Sequence, residues 1–175
     1  MRIAIDLDNT LFDTLSETIP LQKKYSLEKD ISGEQIWTLQ EVKKDFLQNN
    51  LRQIYINSRV KSGVKSSLDM LRGVGISIFV ITARNQVYVE DIEEITYKLI
   101  KENQLPVEKV VFNSGDKIDA CLENSIELMI EDRYDKFTLL KNSDINVLLF
   151  DDKDQHPEVS DRILGWSKQS VEKIL

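Results

Sequence analysis

The chain has 175 residues, 41% of them apolar and 30% charged, which is enough for one well-buried core with room for a small appended subdomain. A net charge of −7 argues against a nucleic-acid polymer as partner, because such binders carry a basic face. The longest apolar stretches, near residues 76–83 and 145–150, are far too short for a membrane span, and the single cysteine, Cys121, excludes an internal disulfide.

Near the N-terminus an apolar run, Ile3-Ala4-Ile5, stops at Asp6 and Asp8, and Thr10 follows. Such a run reads as a central strand covered on both faces. Residues i and i+2 of a strand point to one side, so Asp6 and Asp8 present two carboxylates to one small volume. Like charges that close need a cation, or one must hold a proton. Asp6 also interrupts the chain before an apolar leader could form, and together with the lone cysteine this predicts a cytoplasmic protein. Cys121 itself reads as a small apolar residue on a helix.

Residues 16–59 have a different texture. Leu39, Val42, Phe46 and Leu47 recur at helical spacing with Glu and Lys between them, and Pro20 and Ser32-Gly33 are the natural breaks. This segment is predicted to be a small helical insertion, with residues 1–15 and 60–175 forming the main body. Its aromatics Tyr25, Trp37 and Phe46 could stack on a base, but helically spaced aromatics read first as core.

From Ser62-Gly63 onward helices and strands alternate. The pattern predicts a helix over 64–72, a turn at Gly73-Val74-Gly75, and a strand over 76–82 ending in Thr82-Ala83-Arg84. A helix over 87–102 follows, with a Glu94–Lys98 pair at i,i+4, and then a strand over 109–112. Further segments are a helix over 116–123, a strand over 126–130 running into Glu131-Asp132, a helix over 135–142 and a strand over 146–150. A polar loop over 151–157 and a last helix near 167–175 close the series. Alternation of this kind makes an α/β fold, a parallel sheet with helices on both faces. Ligands in such sheets sit at the carboxyl ends of the strands, where Asp6, Asp8, Thr82, Glu131 and Asp132 all fall.

Carboxylates from two strands, a hydroxyl, and Lys117 at the start of a helix suit a hard cation such as Mg2+ that shares its shell with phosphate. An aspartate can then attack phosphorus while its neighbour exchanges the proton with the leaving oxygen and the incoming water. The hydroxyl and amides of Thr82-Ala83 would hold a phosphate oxygen. Arg84 is either a second phosphate contact or an exposed loop arginine. Asp135 reads as a helix N-terminal acid, and His156 as a solvated loop histidine. A phospho-receiver domain also clusters acids, Thr and Lys around magnesium, but no lone Asp ends the third strand here and the second acid pair follows the lysine.

Asp6-Leu-Asp8-Asn-Thr10, Ile81-Thr82-Ala-Arg84, Lys117 and Ile130-Glu131-Asp132-Arg133 together resemble the four ordered motifs of the haloacid dehalogenase (HAD) superfamily of phosphohydrolases. The resemblance implies a Rossmann-like core with a C1-type cap at residues 16–59. It implies Asp6 as nucleophile and metal ligand, and Asp8 as general acid/base with its backbone carbonyl on the metal. Thr82 and Lys117 would hold phosphate, and Asp132 would complete the Mg2+ site with Glu131 behind it. Phe112-Asn-Ser-Gly-Asp-Lys117, Met129-Ile-Glu-Asp-Arg133 and Gly165-Trp166-Ser167 are similar to the 5'(3')-deoxyribonucleotidase family (cytosolic 5' nucleotidase, type C). That implies a small phosphate monoester as partner, a nucleoside monophosphate, with no nucleic-acid polymer and no membrane, handled by a monomer or homodimer. The family's motif four usually has two aspartates, and here the first is Glu131. The alternatives are a phosphatase for a sugar or cofactor phosphate, and a catalytically idle binding protein.

Overall fold

The computed structural model describes residues 1–175. Strand β1 (Arg2–Ile5) leads into a tight loop and the short β2 (Phe12–Asp13). Three helices follow, α1 (Thr14–Lys29), α2 (Gly33–Thr38) and α3 (Gln40–Asn57), and β3 (Arg59–Val60) pairs antiparallel with β2 to close the insertion at its base. The remainder alternates: α4 (Val64–Gly73), β4 (Ser77–Ile81), α5 (Ile92–Glu102), β5 (Lys109–Val111), α6 (Ile118–Glu123) and β6 (Leu128–Glu131). It ends with α7 (Tyr134–Asn142), β7 (Val147–Phe150), β8 (Arg162–Ile163) and α8 (Lys168–Ile174).

Six strands form one parallel sheet in the order β5-β4-β1-β6-β7-β8. The chain moves outward from β1 through β4 to β5, then returns to the other side of β1 for β6, β7 and β8. That reversal opens a crevice at the carboxyl end of β1, where this class of sheet binds ligands.

Strand periodicity divides the core into two layers. Ile3, Ile5, Ile78, Val80, Leu128 and Ile130 point to one face, under Val64, Leu68 and Leu71 of α4 and Ile92, Ile95 and Leu99 of α5. Ala4, Phe79, Ile81, Met129, Val147 and Leu149 point to the other, against Ala120 and Cys121 of α6 and Phe137 and Leu140 of α7. Each fully buried Ile, Leu or Phe contributes about 1.5–3 kcal/mol. The insertion has its own small core of Tyr25, Ile36, Phe46 and Ile54, and Tyr55 packs against both this cluster and the first sheet layer.

Four local expectations are corrected. Pro20 does not break the chain: α1 runs through it, and the helix buries only Thr14 and Tyr25, so a lost backbone bond at Pro20 opens toward solvent. Helix α5 begins at Ile92 rather than near Val87, which is exposed in a turn. Lys98 pairs with Glu102 at 3.8 Å instead of with Glu94. Strand β8 was not expected, because two residues carry no apolar run. Ser32 does mark a break, as the N-cap of α2 in a reciprocal capping box with Gln35. No helix is long and apolar enough to cross a membrane.

Candidate active site

Three adjacent central strands deliver the polar residues. Asp6 follows β1, Thr82 follows β4, and Glu131 and Asp132 end or follow β6. Asp6 is held at the carboxyl end of the sheet by its N–H, which donates to Ile130 O at 2.9 Å. Asn9 then adopts a left-handed φ of 62°, which asparagine tolerates, and its side-chain oxygen accepts from Thr14 Oγ1 (3.0 Å) and Leu15 N (2.9 Å). The turn after Asp8 is thereby tied to the first turn of α1. Trp166 Nε1 donates to Thr10 O at 2.8 Å and fixes the loop from its other side.

Lys117 reaches the same place from the loop after β5. Its φ is 70°, unusual for a residue with a Cβ, and its side chain is buried at the start of α6. Nζ donates to Asp6 Oδ1 and to Glu131 Oε2, so one ammonium bridges two buried carboxylates. Burial alone would disfavour the ammonium, but the charges of Asp6 and Glu131 outweigh it and raise the Lys117 pKa above its ordinary value.

Asp6, Glu131 and Asp132 each place a carboxylate oxygen within 4.8 Å of the others, close enough to hold one metal ion together. Burial, then the charges of Glu131 and Asp8, push the Asp6 pKa up against the opposing pull of Lys117. Burial and the charges of Asp6 and Glu131 do the same to Asp132. Within the cluster itself three carboxylates converge, and an all-oxygen donor set of this kind fits a hard divalent cation. Glu131, expected behind the metal, belongs to the cluster itself and also accepts from Arg133 N at 3.1 Å.

The carboxylates line a cleft of about 190 Å³ shared with Asp8, Thr82, Ala83 and Lys117. Thr82 N–H is taken by Val111 O (2.9 Å), and its hydroxyl oxygen accepts from Arg84 N (3.2 Å), which leaves the hydroxyl proton free to donate. Ala83 N–H meets no protein acceptor and adds a second free donor. Sequence reasoning missed two cations on the same cleft, Arg133 and Lys136. Lys136 stands four residues beyond Asp132 in the first turn of α7, on the side of the helix that lines the cleft.

Arg84 is placed differently from either expectation. It is buried, and it forks onto the Asp8 carboxylate through Nε (3.0 Å) and Nη2 (2.7 Å). It does not line the cleft. Asp135 pairs with Arg133 at 2.7 Å, exposed and outside the cleft. His156 donates its backbone N–H to Asp151 Oδ2, and its ring stacks on Tyr134 with centroids 4.3 Å apart, facing a neighbouring depression that also touches Asp132. Tyr25 and Phe46 are core residues of the insertion as expected, while Trp37 is half-exposed at their edge.

No protein-family model matches the sequence, and no curated protein matches it. Solved structures do match along nearly the whole chain. A HAD phosphatase from Thermococcus onnurineus superposes with a TM-score of 0.65 at 14% identity, covering 99% of this chain and 96% of that one. The fold is that of the HAD-superfamily hydrolases. A HAD-superfamily hydrolase of subfamily IA, variant 1, from Geobacter sulfurreducens PCA gives 0.64 at 11% identity, with 99% and 98% covered. A dehalogenase gives 0.65 at 12% identity, with 99% and 96% covered. Since the HAD fold carries both phosphatases and a dehalogenase, the side chains in the cleft must decide the chemistry.

Proposed function

We propose that this chain is a Mg2+-dependent phosphomonoesterase that works through an aspartyl-phosphate on Asp6. The observation that carries the reading is the cleft itself: Asp6 flanked by Lys117, with the Thr82 hydroxyl and the Ala83 N–H as free donors opposite the acidic cluster. A phosphate monoester is a dianion, which a carboxylate repels. Lys117, Thr82 and Ala83 offset that repulsion at the non-bridging oxygens and orient the phosphorus toward Asp6.

A carboxylate oxygen of Asp6 attacks phosphorus, and its new O–P bond forms as the ester P–O bond breaks. Asp8 gives its proton to the leaving oxygen. Water then attacks the aspartyl-phosphate and passes a proton to Asp8 as the Asp6 O–P bond breaks, so orthophosphate leaves and both aspartates are restored. Asp6, Asp132 and Glu131, with the Asp8 backbone carbonyl, would hold Mg2+. When bound, the ion supplies charge neutralisation at the phosphate oxygens.

The substrate class we favour is a (deoxy)nucleoside monophosphate, on the resemblance of residues 112–117 and 129–133 to the 5'(3')-deoxyribonucleotidases. The helices of residues 16–59 serve as the cap that covers the ester. With its single cysteine buried and reduced, the enzyme suits the cytoplasm. A screen of phosphate release over nucleoside monophosphates and sugar phosphates, with and without chelator, tests the proposal. Release from nucleotides that chelation stops is expected. Release confined to sugar phosphates would overturn the substrate class, and release from none would overturn the reaction.

A further inference from the structure

We propose that Arg84 is the positioning residue for Asp8, and that helix α3 completes the mount by stacking Tyr55 on the Arg84 guanidinium. This inference rests on the reading above, in which Asp8 exchanges the proton with the leaving oxygen.

The arginine is built in rather than laid on the surface. Its side chain is 0% exposed, whereas that of Asp8 is 27% exposed toward the cleft. Nε and Nη2 take one oxygen each of Asp8, and Nη1 donates to Thr96 Oγ1 at 3.0 Å. Thr96 in turn donates to Ile92 O at 2.7 Å, which locks its rotamer on α5. The guanidinium carbon lies 3.9 Å from the centre of the Tyr55 ring. Three of its five guanidinium N–H donors are thus spent on Asp8 and Thr96, one planar face is covered by Tyr55, and the side chain does not line the cleft.

A planar fork on a carboxylate fixes the plane of that carboxylate. Each oxygen keeps a further lone-pair site, and these are what Asp8 turns toward the cleft. Tyr55 gives the arrangement a second consequence. It belongs to the insertion, and Arg52 one turn earlier pairs with Asp91 at 2.7 Å, just before α5. Seating α3 on α5 therefore builds the support of the proton-carrying group, and does not merely roof the cleft.

Proton delivery matters for a poor leaving group and hardly at all for a good one, so the test compares kcat/KM for a nucleoside 5'-monophosphate and for 4-nitrophenyl phosphate. Arg84→Met should lower the first about 30-fold or more and the second by less than about threefold, since positioned proton transfer is typically worth about 10²–10⁴. Asp8→Asn should show the same pattern, and the double variant should be no worse on the nucleotide than Asp8→Asn alone. Thr96→Val, which keeps the charge and nearly the volume, and Tyr55→Leu, which keeps the charge and removes the stacked ring, should reproduce the selective loss at about three- to tenfold; they carry the test if Arg84→Met does not fold. Equal losses on both esters, or full additivity with Asp8→Asn, would overturn the positioning role. An Asp8→Asn variant that still turns over the nucleotide at the wild-type rate would instead remove the acid/base reading, and the inference with it.

Discussion

The ammonium of Lys117 donates to the carboxylate of Asp6, 111 positions earlier in the chain, and both side chains are buried. Removing one partner of a buried ion pair leaves a charge that nothing compensates. Lys117→Met is therefore expected to cost about 3–5 kcal/mol of stability at pH 8. The loss should shrink at pH 5, where Asp6, its pKa already raised by burial, can take up a proton. Urea denaturation at the two pH values measures this. A cost independent of pH would mean that packing of the lysine stem, rather than its charge, is what the variant removes.

The acidic cluster predicts a linkage between pH and metal. Asp6 and Asp132 both have folded-state pKa values above the ordinary carboxylate value, through burial first and neighbouring carboxylates second. Above the unfolded carboxylate pKa of about 4, the native protein thus holds more protons than the unfolded chain, and metal-free stability falls as pH rises through the folded values. A divalent cation competes with those protons. The rise in thermal midpoint on adding Mg2+ should be larger at pH 8 than at pH 5.5, and Asp132→Asn should remove most of it. An equal rise at both pH values, retained in Asp132→Asn, would put the ion elsewhere.

Two glycines with nearly the same backbone conformation predict unequal sensitivities. Gly63 and Gly75 have φ of 80° and 85°. A Cβ on Gly75 would meet nothing within 4 Å, whereas on Gly63 it would fall 2.1 Å from the backbone oxygen of Trp166. Gly75→Ala should cost about 1–2 kcal/mol, the strain of a left-handed alanine. Gly63→Ala should cost clearly more and displace the Trp166 contact to Thr10. Chemical denaturation of the two variants gives the comparison, and equal costs would refute it.

Phe46 is fully buried between Tyr25 and Trp37, with ring centroids 5.3 and 5.6 Å away. Phe46→Ala should remove about 3–5 kcal/mol from a cluster with only four buried members. The insertion is then expected to open before the sheet does, and the fluorescence of Trp37, read in a Trp166→Phe background, should change at lower urea than that of Trp166, read in a Trp37→Phe background. Coincident transitions would show that the insertion and the sheet unfold as one unit.

Much of the fold was legible because its signals are local. Five of the six sheet strands are short apolar runs, and the residues that cluster in the crevice stand at their ends. Other features were invisible for stated reasons. Strand β8 forms because Leu149 and Phe150 offer an open edge to Arg162 and Ile163, a property of the partner rather than of the segment. Pro20 looked like a break, since propensity cannot register that its helix faces mostly water. The seat of Arg84 was the least legible feature. A lone arginine after a strand-end threonine carries no sign of the aspartate 76 residues earlier to which it turns. Thr96 and Tyr55, which seat it, sit in ordinary helical patterns.

The central placement of β1 also sets the order in which the chain can fold. Arg2 pairs with Ser77, and Ile3 with both Ile78 and Leu128, so the strand bearing Asp6 has no partner until segments far downstream are present. During synthesis an apolar β1 must wait, unpaired, while the insertion helices that follow it can already form through local contacts. Loop-closure entropy opposes such distant pairings until late, and folding is correspondingly slow compared with that of a helical bundle of the same size. The strand bearing Asp6 is thus made before any of its partners and is among the last elements to find its place.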